Sequence, residues 1–127
     1  MESIGLVIVS HSKHIAEGVV ELISKVAKDV PITYVRGTEG GGIGTSFEQV
    51  EQVDRVVSEN PADTLLAFFD LGSAKMNLKM VTDFSDKSII INRVPIVEGA
   101  YNAAALLQAG AELSVIQTQL AELEINK

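Results

Sequence analysis

Four short apolar runs constrain the fold of this chain more than anything else in it: Ile4–Val9, Ile32–Val35, Thr64–Phe69 and Ser88–Ile91. Each is too short for a stable helix, is bounded by polar or turn residues, and lacks the polar alternation of a half-exposed strand. Continuous apolar runs of this kind suit strands buried on both faces of a parallel sheet. Pro31 precedes the second run, where its fixed φ and missing N–H favour entry into a strand.

Between these runs the pattern turns helical. Ile15, Val19, Leu22, Ile23 and Val26 recur at spacings of three and four, as do Phe47, Val50, Val53 and Val57, so each set lines one helix face. Thr45 or Ser46 is expected to cap the second helix, with Glu48 and Gln49 as capping-box partners, and the helix should end near Glu59-Asn60-Pro61. Asp70 to Lys75 opens a turn and a helix reaching about Val81. Asn92 to Pro95 is a connection, Val97 to Gln108 an Ala-rich helix, and Leu113, Ile116, Leu120 and Leu123 mark a last amphipathic one.

Strand and helix alternating in this way imply an α/β fold: an open parallel sheet of about four strands, with right-handed crossovers and helices on both faces. The 127 residues make one domain, 1–127. The expected strand order is 2-1-3-4, which makes strands 1 and 3 neighbours. The chain leaves these two in opposite directions and opens a crevice at their carboxyl ends, where ligands bind in such sheets.

Three segments meet at that crevice. His11 follows strand 1, Asp70 follows strand 3, and the loop Arg36-Gly-Thr-Glu-Gly-Gly-Gly-Ile-Gly44 follows strand 2. An imidazole, with an ordinary pKa of ~6.5, is largely neutral near pH 7 and can serve as nucleophile, base or metal ligand. A carboxylate beside it holds one ring nitrogen as N–H and leaves a lone pair on the other. Were that lone pair to attack phosphorus, the loose transition state would need in-line positioning and donors for three oxygens. The N–H groups of Gly41, Gly42 and Gly44 and the hydroxyls of Ser10, Ser12, Thr45 and Ser73 are the phosphate-binding candidates, with Arg36 and Lys75 as possible cations. Position alone leaves two plainer roles open. His11 can be a turn residue, and Asp70 can cap the helix that follows it.

Several functions are disfavoured. No lysine lies between Arg36 and Ser46, so a Walker A loop is absent, and the glycines follow strand 2, where a dinucleotide fingerprint would need them after strand 1. His14 and Glu17 stand one helical turn apart, yet two such residues are no metal site, and without cysteine there is no thiolate ligand or disulfide. A net charge of -7 argues against nucleic acid. No apolar stretch approaches the ~20 residues of a membrane helix, and no secretory signal is visible, so a cytoplasmic location is expected. Neither a metal nor a cofactor is called for.

Four motifs, one after each strand, are similar to a known family: Val9-Ser-His11-Ser12, Gly40-Gly-Gly-Ile-Gly-Thr-Ser46, Asp70-Leu-Gly-Ser-Ala74 and Pro95-Ile-Val-Glu-Gly-Ala100. Together they resemble the mannose-type enzyme IIA domain of the phosphoenolpyruvate-dependent phosphotransferase system, over essentially the whole chain. The resemblance implies a phosphohistidine carrier, in which His11 accepts a phosphoryl group from the carrier protein HPr, through Nε2, and Asp70 orients the ring. Sugar-transporting members usually carry Gly-Gly-Ser in the third turn, where this chain has Leu71-Gly72-Ser73-Ala74. The resemblance is therefore nearer the branch that donates phosphoryl groups to dihydroxyacetone kinase. That branch implies a phosphotransferase subunit whose acceptor is ADP held by the DhaL subunit; DhaL then acts with DhaK on dihydroxyacetone. It also implies a homodimer and no cofactor. Two alternatives stay open: a sugar-transporter IIA domain that passes phosphate to a IIB domain, and a non-catalytic regulatory module on the same fold.

Overall fold

The computed structural model describes residues 3–35 and 46–127. Strands β1 (Ile4–Val9), β2 (Ile32–Tyr34), β3 (Thr64–Phe69) and β4 (Ser88–Asn92) form one parallel sheet in the order β2-β1-β3-β4. Five helices accompany them: α1 (Lys13–Ser24), α2 (Ser46–Glu59), α3 (Gly72–Phe84), α4 (Ile96–Gln108) and α5 (Leu113–Ala121). The expected class, strand order and two helical layers are all present.

Alternation along β1 and β3 divides the core in two. Leu6, Ile8, Leu66 and Phe68 face one layer, made by Ala16, Val19 and Ile23 of α1, Ala100, Ala103 and Ala104 of α4, and Ile116 and Leu120 of α5. Val7, Val9, Leu65, Ala67 and Phe69 face the other, made by Val53, Val56 and Val57 of α2 and Ala74, Leu78 and Val81 of α3. Both faces of β3 are therefore covered, which is why its sequence runs apolar from Leu65 to Phe69.

The Ala-rich face of α4 allows that helix to lie close against the sheet. Gly99 is the tightest point: a Cβ there would fall 2.2 Å from Val94 Cγ2 and 3.3 Å from Phe68 Cε1. At the opposite end of the sheet Asn60 is buried, its amide nitrogen donating to Leu6 O at 3.0 Å and its Oδ1 accepting from Ala62 N at 3.0 Å. One side chain thus joins the end of α2, β1 and the approach to β3, satisfying polar groups that burial would otherwise strand.

Several element boundaries differ from the sequence reading: β2 ends at Tyr34, one residue before Val35, β4 takes in Asn92, and α4 begins at Ile96. The helix α3 continues to Phe84, a turn beyond Val81; periodicity misses that turn because Phe84 is exposed and adds nothing to the apolar stripe. Val26 and Leu123 pack against the core from just beyond the ends of α1 and α5. On α1 the buried stripe is Ala16, Val19 and Ile23, while Ile15 and Leu22 face solvent.

The register decides where the site lies. Val9 pairs with Phe69 as the last rung between β1 and β3. Ser10 and Asp70 therefore leave the sheet side by side.

Candidate functional site

Asp70 is the hub of the carboxyl edge. Its Oδ2 accepts from Ser10 Oγ at 2.8 Å and from His11 N at 2.9 Å. Its Oδ1 lies 3.0 Å from His11 Nδ1 and accepts from Leu71 N at 2.7 Å. The carboxylate thus faces four donors, two of them from His11. Burial pushes the Asp70 carboxyl up, but the hydrogen bonds from His11, Ser10 and Leu71 together outweigh it and hold the group below the ordinary 3.8. It is an anion at neutral pH.

An ionised carboxylate only accepts, so His11 Nδ1 carries the hydrogen and Nε2 keeps its lone pair. Ser73 Oγ, on the first turn of α3, lies 2.6 Å from Nε2 and is the donor to it. Asp70, the imidazole and Ser73 form a line in which the carboxylate fixes the tautomer and the hydroxyl meets the nitrogen that keeps its lone pair. The side chains of His11 and Asp70 are each largely covered, at 18% and 14% exposure, and Ser73 is exposed. The ring is anchored on its inner edge and approachable on its outer one.

Helix capping distinguishes the plainer roles from the functional ones. Ser12 is the N-cap of α1, its hydroxyl accepting from Ile15 N at 3.3 Å. Ser10 Oγ, besides donating to Asp70, accepts from Ser12 N at 3.0 Å and is buried. These two hydroxyls shape the turn around His11. The N-cap of α3 is Leu71, with no side-chain cap, so Asp70 spends its carboxylate on the β1 turn and on Leu71 N alone. Both α1 and α3 begin at this edge, and their N-terminal dipoles favour negative charge there.

The remaining candidates are the glycine-loop residues and two cations. Arg36, Gly41, Gly42, Gly44 and Thr45 lie outside the described residues. Lys75 Nζ donates to the Lys127 carbonyl at 2.8 Å. Lys127 itself was not anticipated: its Nζ donates to Phe69 O at 2.5 Å, lies 3.5 Å from Asp70 O, and sits 4.4 Å from the Phe69 ring centroid. A residue at the far end of the chain offers no motif or periodicity that would point to this place. A cleft between α2 and α3 opens beside His11 and is lined by the amides of Gln49, Gln52 and Asn77. Among the described residues no group of three or more His, Cys, Asp or Glu side chains is placed to hold a metal, and no helix is long and apolar enough to cross a membrane.

Comparison with known proteins follows the same lines. Residues 5–117 match the EIIA-man family model, described as the PTS system fructose IIA component. The phosphotransferase subunit DhaM of the PTS-dependent dihydroxyacetone kinase of Lactococcus lactis subsp. lactis is 51% identical over 97% of this chain and 98% of its own. The phosphoryl donor subunit DhaM of PEP-dependent dihydroxyacetone kinase 1 of Listeria innocua is 47% identical over 95% of both chains. The crystal structure of a protein of unknown function, EF1359, superposes with a TM-score of 0.79 at 27% identity, covering 98% of this chain and 95% of that one.

Proposed function

This chain belongs to the EIIA-man family of PTS system fructose IIA components, and from that premise we propose that it is the phosphoryl donor subunit of a PEP-dependent dihydroxyacetone kinase, carrying the group on His11. The observation that carries the reading is the Nδ1 contact to Asp70 at 3.0 Å, which leaves the lone pair on Nε2, at the outer edge of the ring. Support for the acceptor comes from the relatives at 51% and 47% identity, both named as DhaM subunits.

In the forward step the Nε2 lone pair attacks the phosphorus of phosphohistidine on HPr. The N–P bond to His11 forms as the N–P bond to the donor breaks, and the electron pair of the broken bond stays on the donor imidazole. The Nδ1 proton is retained throughout, and the Asp70 carboxylate stabilises the positive charge that builds on the ring. Ser73, which occupies the approach to Nε2, turns its O–H to a phosphoryl oxygen. The first-turn N–H groups of α1 and α3, and beyond the described residues Gly41, Gly42, Gly44 and Thr45, supply further donors to the three oxygens. Ser10 and Ser12 act one step back, by holding Asp70 and the α1 turn.

In the second step a terminal phosphate oxygen of ADP on DhaL attacks the same phosphorus, and the leaving electron pair returns to Nε2. ATP is regenerated on DhaL, which with DhaK phosphorylates dihydroxyacetone. The chain works in the cytoplasm as a homodimer and uses no cofactor of its own.

The test is transfer of label. Incubation with enzyme I, HPr and labelled phosphoenolpyruvate should give an acid-labile, base-stable label that His11→Ala abolishes. Offering the labelled protein DhaL with ADP beside a sugar-specific IIB domain should discharge it to DhaL. Discharge to the IIB domain alone would assign the chain to sugar transport, and label surviving in His11→Ala would remove His11 from the mechanism.

A further inference from the structure

The segment after α5 returns to the carboxyl edge of the sheet. Ile125 N donates to Arg93 O at 2.8 Å, and Arg93 pairs with Glu124 at 2.9 Å, which fastens the segment to the turn after β4. Two residues on, Lys127 has reached the end of β3. Its ammonium donates to Phe69 O at 2.5 Å, lies 3.5 Å from Asp70 O, and rests 4.4 Å from the centroid of the Phe69 ring, while Lys75 of α3 holds its carbonyl at 2.8 Å.

These contacts bear directly on Asp70. The Phe69 and Asp70 carbonyls belong to the backbone from which the Asp70 carboxylate is aimed at His11, so restraining them restrains the aim. Charge matters as well. Phosphoryl transfer brings a group of about two negative charges to His11, one of them offset by the ring that keeps its Nδ1 proton, next to a carboxylate that must stay ionised. The charged and titratable groups gathered here are His11 from the β1 turn, Asp70 from the β3 turn, Lys75 from α3, and Lys127. Burial lowers the Lys127 pKa below 10.5 while the Asp70 charge acts to raise it, so the two charges sense each other.

We propose that Lys127 is a positioning residue for phosphoryl transfer: its ammonium fixes the Phe69–Asp70 backbone that aims Asp70 at His11 Nδ1, and its charge offsets the negative charge that phosphorylation brings to the same edge. This rests on the phosphohistidine reading above. It assigns to the site the cation that the sequence left unplaced.

The experiment uses the full chain with two substitutions. Lys127→Met keeps the aliphatic stem and removes the charge, and Lys127→Arg keeps the charge. Single-turnover transfer from phospho-HPr should be about tenfold slower in Lys127→Met, as loss of a hydrogen bond to a charged group implies, with the half-saturating HPr concentration unchanged and the rate recovered in Lys127→Arg. The 15N shifts of the His11 ring should report the Nδ1–H tautomer in the parent and in Lys127→Arg, and a mixture of tautomers in Lys127→Met. Parent rate and parent tautomer in Lys127→Met would overturn the proposal. So would a slower rate accompanied by a fall in thermal stability with the parent tautomer intact, since that marks a structural role only. If the parent accepts no label at all, the carrier reading fails separately, and the tautomer measurement still decides whether Lys127 orients Asp70 and His11.

Discussion

Replacing Asp70 by Asn probes the site most sharply, because it changes charge and donor pattern while preserving shape. The carboxylate accepts from His11 Nδ1, His11 N, Ser10 Oγ and Leu71 N. An amide keeps one oxygen and turns an NH2 toward two of those donors. If its oxygen serves His11 Nδ1 and Leu71 N, the NH2 meets Ser10 and His11 N. The Ser10 hydroxyl can rotate to accept; the backbone N–H of His11 cannot. If the amide flips, the NH2 faces His11 Nδ1 and favours the tautomer with hydrogen on Nε2, the wrong nitrogen. In either arrangement the ring loses its ionic anchor. A hydrogen bond to a charged partner contributes ~1.5–3 kcal/mol, and at ~1.36 kcal/mol per decade this slows transfer by ~10- to 150-fold. Rapid-quench measurement of label moving from phospho-HPr to the variant gives the rate directly, and circular dichroism checks that the fold persists. A folded Asp70→Asn protein that transfers within about twofold of the parent would refute the orienting role.

Three further outcomes follow from the same geometry. Ser73→Ala should slow transfer by about five- to tenfold, less than the ~100-fold typical of a buried oxyanion donor because water can enter an exposed site; parent rates in a quench assay would exclude Ser73 as a phosphoryl ligand. The folded pKa of Asp70 lies below its ordinary value, so the unfolded chain binds the proton more readily and this group stabilises the fold above about pH 4, an advantage lost as pH falls through the lowered value. Urea unfolding of the parent and Asp70→Asn between pH 2.5 and 6 should show a stability gap that closes toward the acid end, and a gap independent of pH would contradict the assignment. Gly99→Ala places a methyl carbon 2.2 Å from Val94 Cγ2 and should destabilise the protein by ~1–3 kcal/mol through overpacking between α4 and the turn that precedes it; an unchanged denaturant midpoint would show that Val94 can yield there.

Much of this was legible from the chain alone. Ile4–Val9 and Leu65–Phe69 announce themselves as strands because both of their faces are covered, so neither run carries a polar side chain. Parallel pairing and the place of His11 and Asp70 at the carboxyl edge then follow from the alternation of strand and helix, and the order 2-1-3-4, which makes them neighbours, is one of the few that connection rules leave. What failed was local. Ile15 and Leu22 share the periodicity of α1 yet face solvent, since the width of the buried stripe is set by how α1 seats on the sheet and on α4. Phe84 stands past Val81, the last core residue of α3, and faces solvent, so the end of that helix leaves no apolar signature.

The sequence by itself determined which residue types stand at the strand ends, and with them a histidine and a carboxylate able to hold it. Only the tertiary structure decided what each does. Pairing of Val9 with Phe69 brings Ser10, His11 and Asp70 together across about sixty positions and sets Ser73 against Nε2, while the contacts of the last segment with Arg93 bring Lys127 back to the Asp70 backbone. Periodicity records the face a residue shares with its near neighbours. It carries no information about register between distant segments, and the hydrogen bonds of this site are set by that register.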